Sequence, residues 1–197
     1  DLYISFDNTE VGRLMAESML ENIPDGGDIF LIQGPLTDNN VSLIREGIDE
    51  TLAGSNLNVV YEANCPGWIA ENAYTYTKEG LKLDRNVKGI ICGNDDLASQ
   101  AFRALSEERL AGKVCVTGQD GDLAACQRIV EETQEMTAFK SVEQEASLAA
   151  KCAVLLGLGE EIEEVQDTAY DGTYNVPYLE LQPIAVTKEN MDEVIIK

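Results

Sequence analysis

Polar side chains and the single tryptophan of this 197-residue chain follow its apolar segments at regular intervals. The loops "GPLTDNN", "ANCPGW", "GNDD" and "GQDGD" come directly after successive apolar segments, and one lysine follows a further segment. The side chains at these positions are amides, carboxylates, an indole and an ammonium group, namely Asn39, Asn40, Trp68, Asn94, Asp95, Gln119, Asp120 and Lys140. Amides and carboxylates form paired hydrogen bonds with vicinal hydroxyls, because each hydroxyl both donates and accepts.

The indole and the ammonium group add two further properties to this set. A flat indole covers the apolar C–H face of a pyranose ring, and an ammonium group donates a charge-assisted hydrogen bond to a ring or hydroxyl oxygen. The combination therefore predicts a site for a neutral polyol such as a monosaccharide. None of the loops pairs a nucleophile with a base, so we expect binding without catalysis.

Each residue also has an explanation that involves no ligand. Asn94, followed by two acids, is typical of a helix N-cap, and Asp120 precedes another helical pattern in the same way. Either asparagine of "TDNN" can cap the second helix. Trp68 can pack against its own helix, and Lys140 can be an ordinary solvated side chain. The recurrence of such residues after successive strands is what favours a binding site.

Several functional classes lack the residues that they need. The chain contains no histidine, which removes histidine-based acid–base catalysis, histidine-containing triads and most zinc sites. Its five cysteines show no CxxC spacing and are predicted to be small core residues. The sequence contains no GxxxxGK[ST] segment, and no GxGxxG segment follows the first strand. We therefore predict a protein that is not an enzyme and that holds no cofactor or metal ion.

The charge balance limits the partners. Asp and Glu total 36, Lys and Arg total 14, and the formal net charge is -22. Such a surface repels phosphate groups, so neither nucleic acid nor an anionic membrane is expected as a partner. No stretch approaches the ~20 apolar residues of a membrane-spanning helix.

Short apolar segments alternate with helical patterns along most of the chain. The predicted strands cover residues 2–6, 28–33, 57–62, 87–92, 113–117 and 136–139. The predicted helices cover about 9–22, 40–53, 69–83, 95–108, 121–133 and 142–156. After residue 157 the pattern indicates an acidic loop and then an extended run over 177–186.

This alternation is typical of right-handed βαβ units. It predicts an α/β fold with a Rossmann-like parallel sheet and helices on both faces. Ligands of such sheets bind outside the carboxyl ends of the strands, which is where the loops with the candidate residues are predicted to lie.

Six longer segments extend these motifs: "YISFDNTEVG", "GPLTDNN", "GWIAENA", "GNDDLASQAFRALSEERLAGKV", "TGQDGDLAACQRI" and "TQEMTAFK". Their order, spacing and loop positions together resemble the D-xylose-binding proteins, which belong to the type 1 periplasmic sugar-binding proteins of ABC importers. The resemblance runs from residue 3 to about residue 160 and continues more loosely to the end. It implies two α/β lobes joined by three crossovers, with the sugar held between them.

The resemblance also implies roles for individual residues. The second-lobe sugar contacts of the family fall on Asn40, Trp68, Asn94, Asp120 and Lys140. The tryptophan would be one of two that sandwich the pyranose ring, while the amide and the carboxylate would bond its hydroxyls. Further candidates beside these positions are Asn39, Asp95 and Gln119.

The same resemblance predicts the domain organisation. Residues 1–140 are expected to form the second, sugar-binding lobe. Residues 141–176 match a helix and loop that return to the first lobe in the family, and 177–197 match a crossover strand and tail. The first lobe has no counterpart in this sequence, so we expect a half or truncated protein that alone binds sugar weakly or not detectably. Helix 142–156 then lacks its usual cover, which predicts a homodimer or altered packing on its own lobe.

Two roles fit a protein of this kind. The first is the solute-binding component of an ABC importer, with D-xylose or a related aldopentose or aldohexose as ligand and the importer's membrane subunits as partners. Its location would be extracytoplasmic, either in the periplasm or as a cell-surface lipoprotein. The alternative is a sugar-sensing domain of the same fold that signals to a membrane histidine kinase. A LacI-type repressor core shares the architecture, but the acidic charge argues against DNA binding.

Overall fold

The computed structural model describes residues 2–165, 167–170 and 172–195, and the chain divides into two compact units. The large unit contains Asn8–Phe139 and Ile184–Lys197, and the small unit contains Asp1–Asp7 and Lys140–Pro183. Each unit has its own sheet.

The predicted strands and helices all correspond to observed elements, with ends that shift by a few residues. The strands are β1 (Tyr3–Phe6), β2 (Gly27–Gln33), β3 (Leu57–Asn64), β4 (Gly89–Cys92), β5 (Cys115–Gln119), β6 (Met136–Phe139), β7 (Asp167–Tyr170), β8 (Asn175–Leu181) and β9 (Ile184–Val186). The α-helices are α1 (Asn8–Asn22), α2 (Asn39–Leu52), α3 (Ala70–Leu83), α4 (Asp95–Glu107), α5 (Leu123–Val130), α6 (Val142–Leu158) and α7 (Met191–Val194).

The sheet of the large unit has six strands in the order β3-β2-β4-β5-β6-β9. All neighbouring pairs are parallel except β6 and β9, which are antiparallel. Its central strands are covered on both faces, as their unbroken apolar sequences require. Residues 29–32 of β2 are fully buried, and so are Ile90 and Ile91 of β4. This architecture confirms the predicted fold class.

Alternating side chains along the strands pack against different helices. Ile29 and Leu31 belong to a core cluster with Met15 of α1 and Ile44 of α2. Phe30 and Ile32 point to the other face of the sheet and pack with residues of α3 and α4. The helices therefore lie on both faces and leave the carboxyl ends of the strands to the connecting loops.

Two glycines set the approach of α1 to α2. A Cβ on Gly12 would lie 2.0 Å from the carbonyl oxygen of Ile44, and a Cβ on Gly47 would lie 1.9 Å from that of Thr9. Both positions therefore require glycine because each helix backbone touches the other.

The small unit combines a three-stranded sheet, in the order β1-β8-β7, with helix α6. β1 pairs in parallel with β8, although the sequence grouped it with the lobe over residues 1–140. β7 lies in the segment predicted to be a loop, and that prediction is wrong over Asp167–Tyr170. The strand is short, polar and mostly exposed, so it carries no apolar signal.

Helix α6 confirms the helix predicted over 142–156 and ends at Gly159, which adopts the left-handed conformation at φ 70°. Only Cys152 is buried among its described residues, while Val142 and Val154 are 72% and 61% exposed. The homodimer expected to cover this helix stays a prediction. All five cysteines of the chain are buried, as the sequence predicted. Within the described ranges, no helix has both the length and the apolar content needed to cross a bilayer.

Candidate functional site

The carboxyl edge of the six-stranded sheet carries most of the predicted site residues. Asn39 and Asn40 open α2 after β2, and Trp68 ends the 3-10 turn Pro66–Trp68 after β3. Asn94 directly precedes α4, and Gln119 ends β5. These positions belong to one edge because parallel strands of one sheet all end on the same side. Lys140 follows β6 but belongs to the small unit, so its role as a further ligand stays a prediction.

The Pro-Gly turn holds Trp68 in an uncommon backbone conformation. Gly67 has φ 60° and Trp68 has φ 58°, so two successive residues lie in the left-handed region. For tryptophan this conformation is strained and persists only where its surroundings fix it.

The indole packs against the backbone of two glycines, Gly34 and Gly93, which together form a glycine floor. A Cβ on Gly34, which follows β2, would lie 2.3 Å from Cζ2 of Trp68. A Cβ on Gly93, which follows β4, would lie 3.2 Å from Cζ3 of the same ring. The indole therefore rests on the ends of two adjacent strands, and any larger residue at Gly34 would displace it. Trp68 is only partly buried, so part of its surface stays open to solvent.

Asp38 joins this indole to the start of α2. Nε1 of Trp68 donates to Oδ2 of Asp38 at 3.0 Å, and the backbone N–H of Asn40 donates to Oδ1 at 2.9 Å. Asp38 is the N-cap of α2, so the alternative that Asn39 or Asn40 caps this helix is wrong. Because Asp38 supplies the capping bond, the side chains of Asn39 and Asn40 do not cap the helix, and both residues are exposed. Oδ1 of Asn40 accepts a hydrogen bond from Nδ2 of Asn8 at 3.2 Å.

Asn94 is the N-cap of α4, as one of the two explanations predicted. Its Oδ1 accepts a hydrogen bond from the backbone N–H of Leu97 at 2.9 Å. Its Nδ2 makes no hydrogen bond to any residue that the structure describes. The cap therefore fixes the amide through its oxygen and leaves an oriented donor at the sheet edge, so the two explanations are compatible.

Asp120 lies in a strained loop directly after β5. Its φ of 105° falls in the left-handed region, which costs a residue other than glycine about 1–3 kcal/mol. Its backbone N–H donates to the carbonyl of Ala138 at 3.0 Å, and the residue is exposed. The N-cap of α5 is Asp122, so a capping role for Asp120 is wrong. Backbone strain in residues other than glycine clusters at functional sites, which is why the loop is a candidate for ligand contact.

Asp95 lies beneath this loop and is fully buried. Its Oδ2 accepts hydrogen bonds from the backbone N–H groups of Gly121 and Asp122 at 3.0 and 3.1 Å. The same oxygen accepts from Oγ1 of Thr137 at 2.8 Å, and Oδ1 accepts from Nε2 of Gln134 at 2.9 Å. Burial raises the pKa of Asp95 to about 6, against the opposing effect of these hydrogen bonds. The Asp95 carboxylate therefore holds in place, through these hydrogen bonds, the loop that contains Asp120.

Gln119 is also internal, with 3% of its surface exposed. Its Nε2 donates to the carbonyl of Gly93 and so links the ends of β4 and β5. Asp95 and Gln119 are both buried in this chain, and their assignment as further ligand contacts stays a prediction. Both support neighbouring residues.

Sequence reasoning missed the residues that support the site. For Asp38 a signal existed, since aspartate is a preferred N-cap and precedes "NN". For Gly34 and Gly93 none did, because their role depends on a ring that comes from another loop. Among the described residues, no group of three or more His, Cys, Asp or Glu side chains is arranged to hold a metal ion.

Comparison with known proteins agrees with this architecture. Residues 1–161 match the family model described as "Periplasmic binding protein domain", and the chain therefore belongs to this family. The chain is 41% identical over 202 residues to the D-xylose-binding periplasmic protein of Haemophilus influenzae, and 38% identical to that of Escherichia coli. These alignments cover 100% of this chain but 60% and 61% of the relatives, so the chain spans less than two thirds of their length. The resemblance found in the sequence is thereby confirmed.

Solved structures show the same fold. The carbohydrate transporter solute binding protein of Chloroflexus aurantiacus, solved in complex with D-glucose, superimposes with a TM-score of 0.86. The match covers 100% of this chain and 66% of that one, at 23% identity.

Proposed function

We propose that this chain forms one wall of a monosaccharide-binding site in the solute-binding component of an ABC sugar importer. The observation that carries the proposal is the indole of Trp68, held on a floor of glycine backbone at the carboxyl edge of the sheet. A partly exposed ring on a rigid support can cover the apolar face of a sugar. Polar groups beside the ring then select its hydroxyls.

A series of contacts along the sheet edge links the polar residues to the ring. Asp38 hydrogen bonds to the indole, and the ring lies over Gly93, which directly precedes Asn94. The residue before Asp120 donates to the carbonyl of Gly93. The amide donor of Asn94 and the carboxylate acceptor of Asp120 therefore belong to the same edge as the aromatic surface, and a vicinal diol uses both a donor and an acceptor.

D-xylose is our first candidate ligand, with related aldopentoses and aldohexoses next. Its support is the 41% and 38% identity to two proteins named for D-xylose binding. We place the protein outside the cytoplasm with the importer's membrane subunits as partners, because the relatives are periplasmic binding proteins.

The unit boundaries suggest how the chain fits a two-lobed protein. In this proposal the large unit is the second lobe, and residues 141–176 of the small unit return to a first lobe. In the part of the small unit that the structure describes, there are three strands and one long helix with an exposed apolar surface, which supports a need for further cover.

A titration with a panel of sugars tests the proposal. D-xylose, D-ribose, D-glucose and D-allose are titrated into the purified chain, and binding is followed by ligand-observed NMR. We expect D-xylose to bind most tightly. A chain that binds none of these sugars, even when it is joined to a first lobe of the family, would contradict the proposal.

A matched pair of variants localises the binding. Asp120→Asn and Asp122→Asn change the same charge in the same exposed loop, and the side chain of Asp122 makes no capping bond. We expect the first variant to weaken sugar binding and the second to leave it unchanged. Equal effects would place the sugar elsewhere.

A further inference from the structure

We propose that Asp38 is a positioning residue of the sugar site, whose carboxylate sets the orientation of the Trp68 indole and of the first turn of α2. The inference rests on the proposed function, because it assigns Asp38 a role in presenting Trp68 and Asn40 to a sugar. Asp38 itself need not contact the ligand.

The two oxygens of Asp38 have separate partners. Oδ2 accepts the indole N–H from a residue that lies 30 positions away in the chain. Oδ1 accepts the backbone N–H of Asn40, two positions away. One carboxylate thus connects the loop after β2 with the loop after β3. Because the group is rigid and planar, the position of the ring and that of the helix start depend on each other.

The turn that carries Trp68 needs such an anchor. Pro66 and Gly67 are exposed, and the 3-10 turn contains no buried residue. Two successive residues of this turn are left-handed, and that conformation is unfavourable for Trp68 unless other contacts stabilise it. The glycine floor supports one side of the ring. This contact alone does not fix how the ring is turned about the axis perpendicular to its plane. The directional N–H···O bond to Asp38 does fix it.

The substitution Asp38→Asn separates this role from helix capping. Asparagine caps helices as well as aspartate does, so its single carbonyl oxygen can retain the bond to the N–H of Asn40. Its amide group would then face the indole N–H, and two donors cannot bond to each other. We expect α2 to remain capped while the indole loses its acceptor.

Asp84 supplies a matched control. Its Oδ1 accepts the backbone N–H of Asn86 at 2.8 Å, which is the same two-residue geometry as that between Asp38 and Asn40. It is the C-cap of α3, at the opposite end of this 14-residue helix from the Trp68 turn, about 20 Å away. Asp84→Asn therefore makes the same chemical change without touching the indole.

The experiment uses the full chain and its single tryptophan, so intrinsic fluorescence reports Trp68 alone. Acrylamide quenching and fluorescence anisotropy are measured without sugar for the unchanged protein, Asp38→Asn and Asp84→Asn. D-xylose is then titrated into the same samples. We expect Asp38→Asn to increase quenching, lower the anisotropy and weaken D-xylose binding roughly tenfold, the scale of one lost hydrogen bond. The melting temperature should stay close to that of Asp84→Asn.

Two results would overturn the inference. Unchanged quenching and anisotropy in Asp38→Asn would show that the carboxylate does not orient the ring, whatever happens to sugar affinity. Altered indole mobility with unchanged D-xylose affinity would show that the orientation does not matter for binding. If the unchanged protein binds no sugar even when it is joined to a first lobe of the family, the proposed function fails, and with it the sugar role of Asp38. The ligand-free fluorescence would still decide its structural part.

Discussion

At the scale of single residues, the proposed site assigns capping and ligand binding to different atoms of one side chain. Asn94 accepts a backbone hydrogen bond through Oδ1 and presents Nδ2 at the sheet edge. Asp38 divides its two oxygens between a cap and an indole. A residue whose local role fixes its rotamer costs less conformational entropy when a ligand binds, because that entropy was already lost on folding. In the proposed site, helix capping therefore prepares these side chains for ligand binding.

Trp68→Ala tests the aromatic surface. We expect it to lower affinity for D-xylose by roughly 1–3 kcal/mol, the scale of one well-packed aromatic contact. Trp68→Phe keeps a ring above Gly34 but loses the N–H donor to Asp38, so it should give an intermediate loss. Calorimetric titration well below the melting temperature measures both. A D-xylose titration unaffected by Trp68→Ala would show that the ring does not contact the sugar.

Asp95→Asn tests the buried carboxylate under the Asp120 loop. The pKa of Asp95 rises from its usual 3.8 to about 6 because of burial, so the folded protein holds this proton to a higher pH than the unfolded chain does. Its contribution to stability is therefore largest below pH 4 and is lost as the pH rises through about 6. Relative to Asp95→Asn, the unchanged protein should lose roughly 2–3 kcal/mol of unfolding free energy between pH 4 and 7.

Urea denaturation of both proteins across this pH range measures the difference. Glu108→Gln gives the opposite sign at lower pH, because hydrogen bonds from Lys78 and Arg85 lower the pKa of Glu108 to about 2. Its stabilising effect is present above pH 4.5 and is lost as the pH falls through about 2. A difference between the unchanged protein and Asp95→Asn that does not vary with pH would show that Asp95 is not ionised differently in the two states.

At the scale of elements, the type and approximate ends of each helix and strand were predictable where they depend on a local residue pattern. The apolar period of α1 and the unbroken apolar runs of β2 and β4 fixed their type and their approximate ends. The pairing of β1 with β8 was not predictable, because about 170 residues separate the two strands and periodicity says nothing about partners. β7 was missed because an exposed, polar edge strand resembles a loop.

The candidate site divides in the same way. Loop position and residue type predicted Trp68, Asn94 and Asp120 at one sheet edge. They did not predict that Asp95 would be fully buried, since an acid in the first turn of a helix is usually exposed. The glycine floor under the indole also depends on tertiary contacts that one sequence does not reveal.

Gly12→Ala tests the close contact of α1 and α2. The added Cβ would lie 2.0 Å from the carbonyl oxygen of Ile44, which is backbone and cannot rotate away. We expect the helices to separate and the unfolding free energy to fall by roughly 1–3 kcal/mol or more, despite the better helix propensity of alanine. Gly157→Ala in α6 is the control, because nothing lies within 4 Å of its Cβ position.

Urea denaturation followed by circular dichroism compares the two variants. The control should leave stability unchanged or slightly raised, since only propensity acts there. Equal stability of Gly12→Ala and the unchanged protein would mean that the helices can move apart without loss of packing.

At the scale of the whole molecule, the chain spans 60% of the length of its Haemophilus influenzae relative. Each compact unit contains two separate stretches of the chain, so neither is a simple N-terminal or C-terminal half. The candidate sugar edge belongs to the large unit, which provides one aromatic surface. The net charge of -22 makes association with a second, equally acidic copy unfavourable at low ionic strength. The homodimer predicted from the exposed apolar residues of α6 would have to overcome this repulsion, and it stays a prediction.

The last prediction concerns affinity with and without a first lobe. Tight sugar binding requires that most of the ligand surface is buried, and a single wall leaves the sugar largely hydrated. The loss of translational and rotational freedom is then poorly compensated. We expect the 197-residue chain to bind D-xylose at least about tenfold more weakly than the same chain joined to a first lobe of the family. Calorimetry on both proteins, with sedimentation of the ligand-free chain, measures this ratio and the oligomeric state. Equal affinity in a strictly monomeric chain would show that one wall suffices. The contacts of Trp68, Asn94 and Asp120 would then account for the whole binding free energy.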